Sequence, residues 1–231
     1  MRPETNPDAG WVSSLAGVST SRADRALEEA RKETRLFGQL DRMHRTGGRS
    51  FYIEIDAPFE LYALTRLLRP RHVVEVGVSS GVSSAYFLKG LERNGRGTLH
   101  SVDLPQEDRR RPAARKNPSW SLPPGRSSGW AVPFALRKRW DLRLGDKEEV
   151  LPLLAEELGR IDLFLYDVPH SDPGAYREFL AVDRRFHSGS VGMVDHGGTQ
   201  EVCPSLRRWA RRRDASPVRR SGLGLSGFRS S

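Results

Sequence analysis

The chain has 231 residues, a net charge of +9 and a single cysteine, Cys203. Its length suits one α/β domain with an added N-terminal part, and one cysteine excludes an internal disulfide framework and a cysteine-rich zinc site. No apolar run approaches the roughly 18 residues that a membrane span needs, and the first residues do not resemble a signal peptide, so we expect a cytoplasmic protein with no membrane contact.

The composition divides the chain into three parts, which are residues 1–18, 19–70 and 71–231. The first part is rich in proline, glycine, serine and asparagine, a composition that predicts a flexible N-terminus. The second part predicts a helical cap. The third part carries the alternating pattern of an α/β domain.

Two helices are predicted in the cap. Apolar residues that recur every three or four positions predict an amphipathic helix over residues 21–45. The second helix is Pro58–Leu68, because proline is tolerated in the first helical turn and Pro70 stops the helix.

The stretch over residues 73–103 predicts a strand, a glycine-bearing turn, a helix and a second strand. Its glycines, Gly77 and Gly81, do not fit the G-x-G-x-x-G spacing of a dinucleotide-binding turn, which disfavours a nicotinamide enzyme. Glu75 precedes the first glycine, and a carboxylate there would repel a pyrophosphate but suit a cationic ligand. Asp103, near the end of the second strand, can accept hydrogen bonds from a ribose diol.

Residues 105–140 form an insertion in which prolines exclude a long helix or a central strand. It contains Trp120 and Trp130, and Trp140 ends it. A long loop in a compact domain is usually functional, so these tryptophans either close over a substrate as a lid or anchor the loop to the core.

Regular alternation resumes after the insertion. The predicted strands are residues 141–146, 161–167 and 190–196, and the predicted helices are residues 147–159, 173–186 and 203–213. Residues 216–220 and 222–228 are predicted as an antiparallel pair at the sheet edge. The whole pattern predicts an α/β fold: a Rossmann-like, doubly wound, mostly parallel sheet of seven strands, with helices on both faces and the N-terminal helices added.

An acidic residue lies near the carboxyl end of each of the first five strands. These residues are Glu75, Asp103, Asp146, Asp167 and Asp195. Ligands of open α/β sheets bind at this edge, so the pattern predicts the binding site there. Asp146 has an equally good alternative role as the N-cap of the helix that follows it.

Two chemical arrangements are consistent with the residues after the fourth and fifth strands. Asp167, Asp195 and His196 have the donor types to hold a divalent ion, Mg²⁺ or Mn²⁺, that activates a substrate hydroxyl. Without a metal, His170 is the natural general base, because an imidazole pKa of about 6.5 lets it accept a proton near neutrality.

The acid, the two glycines and the later aspartate of residues 75–103 resemble class I S-adenosylmethionine-dependent methyltransferases. The segments GVSSGVSSAYFL, SGWAVPFALRKRW and LGDKEEVLPLLAEELG, with a D-x-x-H-S turn, resemble the bacterial family that includes cephalosporin-hydroxylase-like and sugar O-methyltransferase members. The resemblance covers roughly residues 59–196. It implies methyl transfer from S-adenosylmethionine to an oxygen of a small molecule, in natural product biosynthesis.

The resemblance also assigns roles. The residues it gives to the methyl donor are Glu75, Gly77, Ser79, Gly81, Asp103, Asp146, Lys147 and Asp167. It implies that Glu75 and Gly77 lie near the methionine part with Gly81 beside it, that Asp103 holds the ribose and that Asp146 and Lys147 border the adenine. Asp167 and His170 would carry catalysis.

The chain departs from the family pattern at the catalytic turn. Val168 and Pro169 follow Asp167 where a small residue is usual, and His196 replaces an acid or asparagine, which suits a softer ion than Mg²⁺. A binding protein with a degenerate methyltransferase fold therefore remains one alternative.

Basic residues give a second alternative. They concentrate in residues 105–145 and 204–231, which would suit an RNA methyltransferase, although nucleic acid is disfavoured against a small acceptor. The resemblance also allows a homodimer through the N-terminal helices.

Overall fold

A computed structural model describes residues 7–47, 58–105, 122, 125–168, 172–195, 201–220 and 224–231. The helices are α1 (Ala9–Ala16), α2 (Thr20–Arg31), α3 (Thr34–Gly47), α4 (Pro58–Leu68), α5 (Val82–Asn94), α6 (Lys147–Leu158), α7 (Asp172–Asp183) and α8 (Pro204–Arg211). The strands are β1 (His72–Val76), β2 (Thr98–Asp103), β3 (Trp140–Leu144), β4 (Ile161–Tyr166), β5 (Phe186–Asp195), β6 (Val218–Arg219) and β7 (Leu225–Arg229). A 3₁₀ helix, Phe134–Arg139, leads into β3.

The seven strands form one sheet in the order β3-β2-β1-β4-β5-β7-β6. The pairs among β1 to β5 are parallel, whereas β7 pairs antiparallel with both β5 and β6. The predicted fold and the predicted antiparallel edge pair are confirmed. The strand order reverses between β1 and β4, and in open α/β sheets this reversal opens a crevice at the carboxyl ends of the strands.

Side chains of the central strands alternate between two cores. In β4, Leu163 and Leu165 join the core that includes residues of α1, α2, α4 and α5, whereas Phe164 and Tyr166 join the core of α6, α7 and α8. Both sets are fully buried. A continuous apolar run is therefore what a central parallel strand needs, because both of its faces are covered.

The N-terminus differs from the expectation. Residues 1–18 were expected to be flexible, but residues 9–16 form α1, with Trp11, Val12 and Leu15 buried in the core. Asp8 caps this helix by accepting a hydrogen bond from the Trp11 amide at 2.8 Å. The expectation was wrong for this segment because it relied on the polar composition. The order of the residues, a capping aspartate followed by apolar residues at helical spacing, indicates a helix.

The predicted helix over residues 21–45 is two helices, α2 and α3. They separate near Glu33, whose side chain is buried and accepts a hydrogen bond from Arg93 Nε of α5 at 2.6 Å. Apolar residues of α2 and α4 share one core with β4. The division between a cap and a main domain at residue 70 stays a prediction.

None of the helices within the described ranges combines the length and the apolar character that a membrane span requires.

A buried ion pair joins the two ends of the chain to α4. The Arg220 side chain is 4% exposed and that of Glu60 is 2% exposed. Glu60 Oε1 accepts hydrogen bonds from Arg220 Nε at 2.9 Å and from the Asp8 amide at 3.0 Å. One carboxylate thus connects the start of α1, helix α4 and the residue after β6.

Removal of the cation from this pair tests its contribution. We expect Arg220→Met to lower the free energy of unfolding by about 3–5 kcal/mol, because it leaves the Glu60 carboxylate buried without this cation. Arg31→Met, which breaks the exposed pair of Arg31 with Glu28, should cost less than about 1 kcal/mol. Urea unfolding measures both, and equal losses would contradict the assignment.

Candidate functional site

The ends of β1 and β4 meet at Gly77. The Gly77 amide donates to the Val102 carbonyl at 2.9 Å, and the Asp167 amide donates to the Val76 carbonyl at 2.8 Å. Gly77 has φ +94°, and a Cβ atom at this position would lie 2.0 Å from the Asp167 carbonyl oxygen. Only glycine fits, because any side chain would push the two strand ends apart.

The loop after Gly77 is held from the side of β2. Ser79 has φ +50°, and its amide donates to Asp103 Oδ2 at 3.0 Å. The other oxygen, Oδ1, accepts the Leu104 amide at 3.0 Å. A carboxylate can accept about four hydrogen bonds, so these two bonds do not by themselves prevent Asp103 from binding a ribose diol.

Gly81 completes this loop as the residue before α5. Its φ is +91°, and a Cβ there would lie 2.6 Å from Val132 Cγ2 and 2.9 Å from Gly129 Cα. The structure therefore brings together, at the carboxyl edge of the sheet, four residues that are predicted to bind the methyl donor: Gly77, Ser79, Gly81 and Asp103.

Glu75 lies beneath the loop with no exposed surface. Its carboxylate accepts hydrogen bonds from three serine hydroxyls: Ser83 at 2.5 Å, Ser84 at 2.6 Å and Ser101 at 2.7 Å. Burial raises the pKa of Glu75 to about 7, although the three hydroxyl bonds oppose the rise. Its implied place beside the methionine part stays a prediction, and the observed contacts connect it to α5 and β2.

Asp146 and Lys147 both have structural partners. Asp146 is the N-cap of α6 and accepts the Glu148 amide at 2.9 Å, so the capping role is confirmed. The Lys147 ammonium pairs with Glu178 of α7 and lies 5.9 Å from the centre of the Tyr166 ring. The pKa of Tyr166 is raised, mainly by burial and secondly by the hydrogen bond with the Glu178 carboxylate. Adenine contact by Asp146 and Lys147 stays a prediction.

The predicted catalytic residues are described only in part. Tyr166 pairs with Val194 in the parallel register, so Asp167 and Asp195 follow on adjacent strands. The other two residues, His170 and His196, lie outside the described residues. Within the part of the chain that the structure describes, three or more His, Cys, Asp or Glu side chains do not form a group able to hold a metal ion.

The second half of the insertion is an anchored segment. Trp130, Ala131 and Val132 are buried in the core that includes α5. The Gly129 and Ala131 amides donate to the carbonyls of Ser79 and Ser80, at 2.8 and 2.9 Å. For Trp130 the anchoring interpretation is therefore confirmed, whereas Trp120 lies outside the described residues.

Sequence reasoning missed the serines around Glu75 and the position of Trp140. Trp140 Nε1 donates to Ser101 Oγ at 2.9 Å, which connects β3 to the buried carboxylate. One signal was present for the serines: side chains alternate along a strand, so Glu75 faces the same side as Val73, toward α5, whose first turn contains Ser83 and Ser84.

The sequence matches a family model that describes a methyltransferase domain over residues 74–196, more than half of the chain. This range begins within β1 and extends just beyond β5, so it includes the glycine loop and all the strand ends described above. No curated protein matches the chain.

Several solved methyltransferases share the fold. The O-methyltransferase from Bacillus cereus, in complex with SAH, superposes with a TM-score of 0.56 at 14% identity and covers 84% of this chain and 91% of its own. TomG from Streptomyces achromogenes, an O-methyltransferase of tomaymycin synthesis in complex with SAM, has a TM-score of 0.55 at 15% identity, with 85% and 89% covered. SAH-bound methyltransferase PaMTH1 from Podospora anserina has a TM-score of 0.53 at 13% identity, with 90% and 95% covered.

The raised pKa of Glu75 predicts a pH dependence of stability. The folded chain holds the Glu75 proton more tightly than the unfolded chain, whose carboxyl has the ordinary pKa of 4.5. The stabilisation that comes from this tighter proton binding is fully present below about pH 4.5. It falls by up to about 3 kcal/mol as the pH rises to 7 and above.

Glu75→Gln removes the titrating group, so we expect it to remove this loss. The unfolding free energy of the variant minus that of the native chain should be roughly 2–3 kcal/mol higher at pH 8 than at pH 5. Urea unfolding at both pH values measures the change, and Glu156→Gln on the exposed side of α6 is the matched control. The same pH dependence in the native chain and in Glu75→Gln would contradict the assignment.

Proposed function

Because the chain belongs to the family of methyltransferase domains, we propose that it transfers the methyl group of S-adenosylmethionine to an oxygen of a small molecule. The observation that carries this proposal is the joining of the glycine loop to Asp103. The Ser79 amide fixes the Asp103 carboxylate directly beside the backbone that Gly77 and Gly81 keep free of side chains. As part of the same proposal the protein acts in the cytoplasm, and its single cysteine supports a reducing compartment.

The charges at the edge fit this donor better than a dinucleotide. S-adenosylmethionine carries an ammonium and a sulfonium and has no phosphate. Asp103, Asp146, Asp167 and Asp195 all lie at the same edge of the sheet, where their negative potential favours a cation. The nearby ammonium of Lys147 is paired with Glu178, which reduces its attraction for a phosphate.

The chain's own residues have two tasks in such a transfer. When bound, the donor supplies a methyl group on a positively charged sulfur. The loop and Asp103 hold the donor in one orientation, so that the acceptor oxygen meets the methyl group in line with the bond that breaks. A basic group must also remove the proton of the acceptor hydroxyl.

Oxygen as the accepting atom is supported by the relatives. The Bacillus cereus and Streptomyces achromogenes proteins are O-methyltransferases, and this chain shares their fold. His170 is the proposed base, with Asp167 three residues before it in sequence.

A divalent metal is the alternative means of removing the proton. Asp167 and Asp195 offer carboxylate oxygens, which Mg²⁺ and Mn²⁺ prefer, on adjacent strands. His196 would be the third ligand. Two carboxylates and an imidazole fit a divalent ion, and the imidazole favours Mn²⁺ over Mg²⁺.

Calorimetric titration with S-adenosylhomocysteine (SAH) tests the donor site. We expect micromolar binding to the native chain and roughly 10- to 100-fold weaker binding to Asp103→Asn, because the variant loses a charge-assisted hydrogen bond to the ribose. Asp214→Asn is the matched control: the residue is exposed, and asparagine tolerates its φ of +50°. No binding to the native chain would refute donor use, and native affinity in Asp103→Asn would refute the role of Asp103.

Kinetics separate the base from the metal. With labelled donor and a phenol, catechol or sugar that accepts the label, His170→Gln should lower kcat by about 10²–10⁴-fold and leave SAH affinity unchanged. Chelation by EDTA should leave the native rate unchanged. Two results would instead support the metal. Chelation would abolish the activity of the native chain, and Mg²⁺ or Mn²⁺ would restore it. Asp195→Asn would have no activity that chelation could remove.

A further inference from the structure

Trp140, the first residue of β3, lies where the insertion meets the sheet. Its indole Nε1 donates to Ser101 Oγ at 2.9 Å, and Ser101 donates in turn to Glu75 Oε2 at 2.7 Å. The outer edge of the indole lies directly against Gly129: a Cβ on Gly129 would be 2.0 Å from Trp140 Cη2 and 2.9 Å from Cζ2. The ring is therefore held by a hydrogen bond at one edge and packs against backbone at the other.

The segment that packs on the indole, residues 129–132, contacts the glycine loop through backbone hydrogen bonds. Gly129 donates to the Ser79 carbonyl at 2.8 Å, and Ala131 donates to the Ser80 carbonyl at 2.9 Å. Gly129 Cα also lies close to the face of Gly81 that has no side chain. The loop has no room to move toward the insertion while this segment is in place.

Arg137, in the 3₁₀ helix, connects the segment to the tryptophan a second time. Its guanidinium donates to the carbonyls of Gly129 and Val132, both at 3.2 Å. The Cζ atom lies 5.7 Å from the centre of the Trp140 ring, within the range of a cation–π contact. Indole, guanidinium and segment thus form one packed unit.

Ser79 needs such support because its backbone conformation is unfavourable. A residue with a side chain in the left-handed region costs on the order of 1–2 kcal/mol. Ser79 is held on both sides: its carbonyl accepts from Gly129 and its amide donates to Asp103. A shift of the Gly129 segment would therefore be felt at the carboxylate proposed to hold the ribose.

We infer that Trp140 is a positioning residue for the methyl donor: through Gly129 it fixes Ser79 and Asp103 in the geometry that binds the nucleoside. This inference rests on the proposed function, because it names what sets the affinity of the same site. It assigns a role in donor binding to an indole that has no need to touch the donor itself.

Two substitutions disturb this contact in different ways. Gly129→Ala places a methyl group into the indole. Trp140→Phe removes the N–H donor and withdraws the outer edge of the ring. Gly95→Ala is the matched control, because Gly95 has φ +68° against +70° for Gly129 and its Cβ would meet nothing within 4 Å.

Hydrogen exchange of the full-length chain without ligand gives the first measurement. Peptides over residues 76–84 should exchange faster in Gly129→Ala and in Trp140→Phe than in the native chain, and at the native rate in Gly95→Ala. Titration with SAH gives the second. We expect binding at least about 10-fold weaker in Gly129→Ala, roughly 3- to 10-fold weaker in Trp140→Phe and within about twofold of native in Gly95→Ala.

The double variant separates positioning from a general loss of stability. The shorter ring of Trp140→Phe makes room for the methyl group that Gly129→Ala adds, so the double variant should lose less SAH affinity than the product of the two single losses. A purely structural role would lower unfolding stability and leave SAH affinity and the exchange of residues 76–84 unchanged in the folded variants, which would overturn the inference. If the native chain fails to bind SAH, the proposed function fails and this inference fails with it.

Discussion

The close approach of Gly77 to the carbonyl oxygen of Asp167 is the constraint on which the site depends. A Cβ atom on Gly77 would lie 2.0 Å from that oxygen, so β1 and β4 can end side by side only because the residue is glycine. This contact lies at the reversal of the strand order. It places the glycine loop of one strand next to Asp167, the first residue after the other. The residues proposed to bind the methyl donor and the proposed catalytic turn therefore share one edge for a steric reason.

The solvation of Glu75 has an electrostatic consequence for the same edge. Three serine hydroxyls hold its carboxylate, and a hydroxyl stabilises a negative charge without cancelling it. A lysine in place of these serines would have cancelled the charge of Glu75 and left the region under the loop neutral. With a pKa of about 7, Glu75 carries much of its charge near neutrality, and this charge adds to that of Asp103. Both favour a positively charged ligand over a phosphate.

The fold could be predicted because each central strand is an apolar run with an acid at its end, a pattern that survives without any knowledge of contacts. The loop residues Gly77, Ser79, Gly81 and Asp103 followed from the same pattern with the family resemblance. Several features did not follow, and two of them show why. The helix at residues 9–16 was concealed by a polar composition, although Asp8 carried a capping signal. The contact between Gly129 and Trp140 joins irregular backbone to a strand, and no periodicity encodes such a contact.

The described segment before β3, residues 125–139, performs a task that a helix in the same place would not. Parallel strands such as β2 and β3 need a long crossover connection, which is usually a helix. The amides inside a helix are used by the helix itself, so a helix presents free amides only at its first turn. In the segment before β3, by contrast, Gly129 and Ala131 direct their amides to the consecutive carbonyls of Ser79 and Ser80 in the glycine loop. Because α5 and the 3₁₀ helix pack on each other, these amides belong to a supported surface. The prolines and glycines that exclude a helix here thus leave backbone donors available to hold the loop.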